Sequence, residues 1–517
     1  MSRRTHYIPV GNLVLDGVSI DPAIYCPANG YPDPTDPEVL AAICPVGGYY
    51  DPDEPIPYTP EEGVPEIVPT DGEIVLIMTN ALDAAVNTQV TISNATQARY
   101  TILGNNDDVL HTTTVNNNAT FYYQFPVGGI PLGSGLYGYK VVISAATTGT
   151  ITAFKFNTKT GFAPTGWPVL EAHIKCPTLT SLADAFNNQR YLKKVVFYGD
   201  HNALTNLGNC VINCRNLVEF HANVSMNNLI TLGSTFEETH SLEILTLPAS
   251  LPALTSIVRT FRYCGLKASP PLPVSLPECM SMNLAFSYMQ RLKGTLYIPD
   301  APKCLTLTYV ASYNPLVEKI VFRGSYIPNN TTSIACCHDC PSLLEIDMGN
   351  VWGKDGVTFV LQLMMNVGTP LIKKIKLPNK FLGTVNGFSI GSDTAYVTEL
   401  STADWSDCTV IGQVGAYYPS LLRFDQPTLR LSLGVLSVMF LSSRPGLTNY
   451  INIDFANSTY AVQGVVITRA QLSKEEIDRI FTALPTVTSA TTINVTINPG
   501  YATCDKTIAQ AKGWTVT

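Results

Sequence analysis

The stretch SLEILTLPASLPALTSIVRTFRYC, residues 241–264, decides the fold of most of this chain. Leu242 is followed by apolar residues three and five positions later, Leu245 and Leu247. This alternation predicts a short strand whose alternate side chains point inward. The segment Ile257–Cys264 is expected to form a helical turn that returns the chain to the next strand.

The same pattern recurs through the C-terminal two-thirds of the sequence, with anchor residues 24 to 29 positions apart. The anchors are Leu192, Leu217, Leu242, Leu266, Leu292, Val317, Leu343, Ile372, Val397, Leu421 and Leu447. A second apolar column, about six positions before the anchors, comprises Phe186, Val211, Phe236, Phe261, Phe286, Val310 and Cys337. A fixed period in this range predicts a solenoid, here over residues 175–463, in which each repeat is stable only when stacked on its neighbours.

Two repeats fit this pattern poorly. Ser269 and Pro271 occupy the inward positions after Leu266. The repeat at Leu447 fits only with a one-residue slip, to Ile451 and Ile453. We expect irregular backbone at both places.

Residues 464–517 differ from the repeats and are expected to form a C-terminal cap. Residues 472–484 have helical spacing, with Ser473 as N-cap and Glu476 three residues later. A strand is expected over residues 492–498.

Residues 72–160 alternate between apolar and polar positions in short runs separated by Asn, Gly and Asp. This spacing predicts an all-β sandwich domain, of immunoglobulin-like type, that precedes the solenoid. Such domains commonly serve as spacers or docking modules, and the fold alone does not define a function.

Residues 1–71 are rich in Pro, Gly, Asp and Tyr and contain an imperfect duplication. Proline at this density prevents helices and central strands, so the segment is expected to be extended. A flexible linker is one interpretation. The favoured one is an anchoring arm that becomes ordered against a partner. Its contact residues would be Ile24, Cys26, Tyr31, Ile43, Cys44, Tyr49 and Tyr50.

The repeat over residues 241–264 resembles the BspA-type, or treponemal, leucine-rich repeat, with its leucine strand, Leu-Pro, Ile and Phe-x-x-Cys. The ending TCDKTIAQAKGWTV, residues 503–516, is similar to the terminal motif of such proteins from gut Bacteroidales and their crAss-like phages. The resemblance implies an α/β leucine-rich-repeat solenoid over about residues 175–517. The columns degrade after Ile372, and His240 and Asn314 replace the family's cysteine.

Composition excludes several classes of partner. The net charge is −8, and Lys and Arg are scattered, so no basic stripe exists and nucleic acid is not expected to bind. No apolar run is long enough to span a bilayer, and none follows Arg3 and Arg4, so neither membrane insertion nor export by the usual route is expected. The 13 cysteines are an odd number, which favours reduced thiols.

No catalytic motif is evident, and we expect neither an enzyme nor a cofactor. The segment Cys336–Cys340 is the densest group of metal-ligand residues, yet Cys337 and Cys340 fall in inward columns, where packing is the simpler interpretation. The pairs Glu237–Glu238 and Glu475–Glu476 could serve a glycosidase, although adjacent glutamates more often form a solvated face.

The favoured function is that of a phage virion structural protein, a tail or head fibre, spike or appendage, assembled in the host cytoplasm. The resemblance implies that the N-terminal arm binds other virion proteins. The repeat domain would bind a host-surface glycan or protein, or another virion component. A homo-oligomer is expected, a trimer being one form. A bacterial cell-surface adhesin and a polysaccharide depolymerase are the alternatives.

Overall fold

The chain forms two compact units, residues 1–56 and 57–517. The computed structural model describes Val14–Leu15, Val18–Ser19 and residues 67–79, 85–93, 97–104, 107–125, 130–133, 136–156, 169–328, 334–362, 371–390, 397–417, 423–439 and 450–517. In the first unit the two described strands pair antiparallel. The seven contact residues of the anchoring arm, Ile24, Cys26, Tyr31, Ile43, Cys44, Tyr49 and Tyr50, lie outside the described residues, so the arm stays a prediction.

Strands dominate the described residues. They are β1 (Val14–Leu15), β2 (Val18–Ser19), β3 (Glu73–Thr79), β4 (Ala85–Ser93), β5 (Gln97–Leu103), β6 (Val109–Asn116), β7 (Thr120–Gln124), β8 (Ile130–Gly133), β9 (Leu136–Ala145), β10 (Thr150–Phe156), β11 (Val169–Lys175), β12 (Lys194–Phe197), β13 (Glu219–His221), β14 (Ile244–Thr246), β15 (Gly294–Ile298), β16 (Val317–Phe322), β17 (Ile334–Ala335), β18 (Glu345–Asp347), β19 (Val351–Trp352), β20 (Thr358–Gln362), β21 (Lys374–Lys376), β22 (Lys380–Phe381), β23 (Gly383–Ile390), β24 (Glu399–Leu400), β25 (Cys408–Val410), β26 (Gln413–Tyr417), β27 (Arg423–Gln426), β28 (Ser432–Met439), β29 (Tyr450–Ile453), β30 (Thr459–Thr468), β31 (Thr491–Asn494) and β32 (Trp514–Val516). The helices are α1 (Lys474–Ala483), α2 (Lys506–Gln510) and a 3-10 helix at Pro499–Ala502.

The strands from β3 to β10 are antiparallel and lie in two sheets. Strands β3, β9, β5 and β6 follow one another in the first sheet, with β8 beside β9, and the second has the order β10-β4-β7. The ring centroids of Tyr100 and Phe121 lie 4.3 Å apart, and those of Phe125 and Tyr139 lie 4.4 Å apart. Aromatic side chains therefore pack between the two sheets.

These antiparallel strands continue directly into the repeats. Strand β3 also pairs with β11, and β11 pairs in parallel with β12. On the other side, Ala153 of β10 forms a parallel bridge with Ser181. One hydrophobic core runs through both parts. The first coil of the repeats is therefore covered on two sides by the antiparallel strands. A terminal repeat needs such a cover, because no further repeat packs against its exposed core face.

The C-terminal part is a β-solenoid of about 12 turns. On one wall, which we call the strand wall, equivalent residues of successive coils pair in parallel, as in Val195 with Phe220 and Phe220 with Leu245. All nine anchors from Leu192 to Val397 are buried, whereas Leu421 and Leu447 lie outside the described residues. The prediction of stacked coils that bury their apolar columns is confirmed.

The second predicted column is also confirmed. Each of its seven members, from Phe186 to Cys337, is fully buried. The rings of Phe236 and Phe261 lie 5.6 Å apart at 9°, and those of Phe261 and Phe286 lie 5.6 Å apart at 14°. This stack ties three successive coils together.

The opposite wall is built from consecutive tight turns over residues 182–189 and their equivalents up to residues 307–314; we call it the turn wall. In the segment Ile257–Cys264, Arg259 and Tyr263 have φ of 54° and 57°. The amide of Ile257 donates to the carbonyl of Ser281, 3.0 Å away in the next coil, and that of Phe261 to Ala285 at 2.9 Å. The expected helical turn is therefore wrong. A helix keeps these hydrogen bonds within one coil, whereas here alternate amides bond to the next coil.

A third buried column lies on the turn wall. Its members are Cys214, Thr239, Cys264, Met289, Asn314 and Cys340. Asn314 replaces the cysteine of this column, as the sequence predicts. The same prediction is wrong for His240, because its side chain is exposed and Thr239 occupies the column. The Thr239 hydroxyl donates to the carbonyl of Phe236 at 2.7 Å, which satisfies the polar group inside the core.

The strand wall is interrupted at the weak repeat that begins at Leu266. Strand β14 ends one sheet and β15 begins another, and no strand forms over residues 247–293, all of which are described. The expected irregularity is thus confirmed at Leu266. Leu447 lies outside the described residues, but β29 after it pairs regularly with β27, and Ile451 and Ile453 are buried as predicted.

From Ile334 onward the turn wall gives way to a parallel sheet with the order β17-β20-β23-β26-β28-β30-β31-β32. Its strands are rich in Val and Thr, as in TYAVQGVVIT at residues 459–468. Such side chains favour extended backbone over consecutive turns. The columns that degrade in the sequence after Ile372 lie within this second form of the wall, where the described anchor Val397 is still buried.

Helix α1 confirms the helix predicted over residues 472–484, and the Ser473 hydroxyl accepts the Glu476 amide at 3.2 Å. The Glu476 carboxylate contacts β29, as described below. Strand β31 is shorter than the strand expected over residues 492–498.

Within the described parts of the chain, no helix has both the length and the apolar character needed to cross a bilayer.

Candidate functional site

The cysteine-rich segment 336–340 lies in the core. Cys336, Cys337 and Cys340 are fully buried, and the Cys340 thiol contacts the carbonyl of Ala311 at 3.3 Å. Burial raises the pKa of the Cys340 thiol to about 12. Since the thiolate is the nucleophile and the metal ligand, this environment disfavours both roles. Among the described residues, no group of three His, Cys, Asp or Glu side chains is arranged to hold a metal ion.

The first glutamate pair is engaged in ion pairs. Glu237 is buried and accepts a hydrogen bond from the Arg262 guanidinium at 2.9 Å. Glu238 is paired with Arg215 at 3.0 Å. Arg262 also lies over the ring of Tyr263, 4.9 Å from its centroid. These contacts connect neighbouring coils and leave neither carboxylate pointing into an open cleft of the described structure.

In the second glutamate pair, Glu475–Glu476, the side chain of Glu476 has a structural role. Glu476 binds Arg479 through both carboxylate oxygens, at 2.6 and 2.9 Å. Its Oε1 also accepts the backbone amide of Ile451 at 3.2 Å, and Arg479 donates to the Ile451 carbonyl. Among the described residues β29 pairs with β27 alone, and on its other side these two side chains satisfy polar groups that a further strand would satisfy.

A row of tyrosines lies half-buried along the turn wall. The ring centroids of Tyr263 and Tyr288 are 4.6 Å apart, and those of Tyr288 and Tyr313 are 4.3 Å apart. Burial and the neighbouring Tyr288 raise the pKa of Tyr313 to about 12. The rings cover one another's faces, so this row stabilises the wall and does not offer open aromatic faces to a ligand.

An open cleft of about 480 Å³ lies where the strand wall is interrupted. One side consists of residues 268–273, ASPPLP, which replace the missing strand. Lys293, Thr295, Tyr297 and Arg323 form the other side, on or next to β15 and β16. The volume is within the range of about 300–1,000 Å³ that is usual for ligand sites. We take this cleft as the candidate functional site.

The cleft is positively charged and has an aromatic wall. Its lining contains two cations, Lys293 and Arg323, and no carboxylate. The Arg323 guanidinium lies 4.2 Å from the ring centroid of Tyr297, a cation–π contact that holds both side chains in place. Tyr297 is 40% exposed. The site can therefore contact an apolar surface and an anionic group at once.

Local hydrogen bonds and prolines fix the shape of the cleft. The Tyr297 amide donates to the Ser269 hydroxyl at 3.1 Å, and the Lys293 amide donates to the Lys267 carbonyl at 3.1 Å. Pro270, Pro271 and Pro273 restrict the backbone dihedral angles of their segment. A wall that is already ordered loses little conformational entropy when a ligand binds.

The sequence carries a signal for this site in the weak repeat at Leu266. Ser269 and Pro271 break the inward pattern, and that defect marks the coil whose strand is lost. The sequence could not show that Lys293 and Arg323, which follow in later coils, face the same gap.

Comparison with known proteins adds no relative. No protein-family model matches the sequence, and neither a curated protein nor a solved structure matches the chain.

Proposed function

We propose that this protein is a non-enzymatic structural protein of a phage virion, of fibre, spike or appendage type, whose solenoid is a divergent BspA-type leucine-rich repeat. Its N-terminal segment would bind other virion proteins, the strands from β3 to β10 would act as an immunoglobulin-like spacer, and the solenoid would present its surface to the host. The resemblance of residues 241–264 and 503–516 to repeat proteins of gut Bacteroidales and their phages supports the virion assignment.

The observation that carries a binding function is the cleft at the interrupted coil. It is open, and local hydrogen bonds and prolines order its sides. Three of the four glutamates that a glycosidase could use, Glu237, Glu238 and Glu476, form ion pairs, and the cysteines of residues 336–340 are buried. This distribution favours recognition over catalysis.

Removal of residues 1–56 tests the virion assignment. That deletion stops at the boundary of the first compact unit and leaves residues 57–517 intact. We expect the shortened protein to fold, with an unchanged thermal unfolding midpoint, but to be absent from purified particles. Incorporation at the wild-type level would contradict an anchoring role for this segment.

A finer version of the same test uses the double variant Tyr49→Ala/Tyr50→Ala. It should reduce incorporation, whereas Tyr58→Ala, a matched tyrosine outside the seven contact residues, should not. Release of new reducing ends from a capsular polysaccharide by the purified protein would instead favour the depolymerase alternative.

A further inference from the structure

The charges around the cleft are unevenly distributed. Among the described residues, neither Lys293 nor Arg323 has a carboxylate partner. The nearby Glu243 is paired with Lys267 at 2.9 Å and with Arg291 at 2.7 Å. Asp300 accepts the amide of Ser325 at 2.7 Å. Lys293 and Arg323 are therefore cations without an ion-pair partner among the described residues, in a chain whose net charge is −8.

The charged side chains of the cleft are hydrogen-bond donors. Lys293 and Arg323 can only donate, and the Ser269 hydroxyl already accepts the Tyr297 amide. A ligand that pairs with these two cations must supply acceptor oxygens, and a planar carboxylate matches the fork of an arginine guanidinium.

The apolar part of the cleft is flat and rigid. The ring of Tyr297 and the rings of Pro270 and Pro271 supply it, and they line a shallow opening rather than a deep pocket for a single apolar side chain. Rigid rings with polar edges suit the C–H faces of a sugar, which alternate with hydroxyl groups.

From these contacts we propose that the cleft binds a carboxylate-bearing saccharide, a uronic-acid unit of a surface polysaccharide. The carboxylate is held by Arg323 and Lys293, and the sugar face packs against Tyr297 and the prolines. This assignment rests on the proposed function as a recognition protein and names its ligand class.

Isothermal titration calorimetry of the full-length chain with tetragalacturonic acid tests the proposal. We expect saturable binding that weakens as the salt concentration rises, and no heat with maltotetraose, a neutral saccharide of equal length. Arg323→Met keeps an apolar contact with Tyr297 but removes the charge. We expect it and Lys293→Met each to weaken binding by about fivefold, and the double variant to abolish it.

Lys319→Met is the matched control, since Lys319 lies on β16 next to the cleft but is paired with Glu345 at 3.1 Å. It should bind like the wild type, and all variants should keep the wild-type thermal midpoint. Equal binding by the double variant, or no binding by the wild type, would overturn the proposal. Tighter binding of hexaglutamate at the same cleft would overturn the saccharide class in favour of an acidic peptide. None of these outcomes depends on incorporation into particles, so a failure here is distinct from a failure of the virion assignment.

Discussion

His201 is a titratable side chain in an apolar core column. The equivalent positions of the next coils hold Met226, Leu251 and Leu276, and all four side chains are buried. Neither ring nitrogen of His201 has a hydrogen-bond partner among the described residues. Burial lowers the pKa of the imidazole, and nearby carbonyls offset this only in part. The neutral form is therefore the one that the folded chain accommodates.

This placement predicts acid sensitivity. The unfolded chain takes up a proton near the ordinary histidine pKa of about 6.5, and the folded chain does so only at lower pH. As the pH falls below about 6.5 the unfolded state gains protons first, so the free energy of unfolding decreases. His201→Met should remove this part of the pH dependence and stabilise the fold by about 1 kcal/mol at neutral pH, because it removes unpaired buried nitrogens.

Urea unfolding at pH 7.5 and pH 5.5 measures the effect. Met226→Leu, a substitution of similar volume one coil later, should leave the difference between the two pH values as in the wild type. If His201→Met were as acid-sensitive as the wild type, His201 would not be the group responsible.

Asn314 provides a second prediction at the scale of single residues. Its amide donates to the carbonyls of Phe286 and Ala311, at 2.8 and 2.9 Å, and accepts the amide of Met289 at 2.9 Å. Asn314→Ala would leave buried backbone groups unpaired and should cost about 3 kcal/mol, as measured by chemical unfolding. Cys264→Ala, in the same column, removes a weaker group and should cost about 1 kcal/mol. Equal losses would show that the asparagine contributes by packing alone.

At the scale of elements, α1 protects the last strand of its sheet. Glu476→Ala would leave the Ile451 amide and the Arg479 guanidinium without their shared partner. We expect a loss of about 2 kcal/mol in the free energy of unfolding, together with concentration-dependent self-association, because an uncovered strand edge pairs with other chains. Sedimentation velocity over a range of concentrations would detect the association. The Glu475→Ala variant, at the adjacent exposed position, should unfold at the wild-type urea concentration and stay dispersed.

The elements also show how far the sequence could predict the structure. The inward columns were predictable because burial selects apolar side chains at fixed spacing, and Leu242, Leu245 and Leu247 are buried as expected. The turn wall was not, because Arg259 and Tyr263 adopt positive φ, which side chains of these types rarely favour. Their backbone conformation is fixed by hydrogen bonds to the next coil, and no local pattern within one repeat encodes those partners.

From the sequence, the candidate site was predictable only as a break in the apolar repeat pattern. Pro271 in an inward position signals a lost strand, since proline cannot donate to a ladder. That the loss opens a cleft depends on Lys293, Tyr297 and Arg323, which lie more than 20 residues further along the chain. A single repeat cannot show which side chains of the following coils face such a gap.

At the scale of the whole molecule, the interrupted coil is a weak point in an otherwise continuous core. The strand wall is broken between β14 and β15, so the coils before and after the break are connected mainly through the turn wall. Phe261 lies at this junction, stacked between Phe236 and Phe286. In solenoids, stability is close to a sum of repeat and interface contributions, and a weakened interface separates the unfolding of its two sides.

Phe261→Ala should therefore change the form of the unfolding transition as well as its midpoint. The lost ring leaves a cavity that costs about 3–5 kcal/mol in the coil without a strand, where the strand wall supports neither of the two neighbouring interfaces. We expect calorimetry to show one main transition for unit 57–517 in the wild type and two resolved transitions in the variant. Phe236→Ala removes an equivalent ring from the coil that contains β14. Because β14 still pairs with β13, this variant should lower the thermal unfolding midpoint without dividing the transition. A single transition in Phe261→Ala would mean that the two sides are coupled by more than the turn wall.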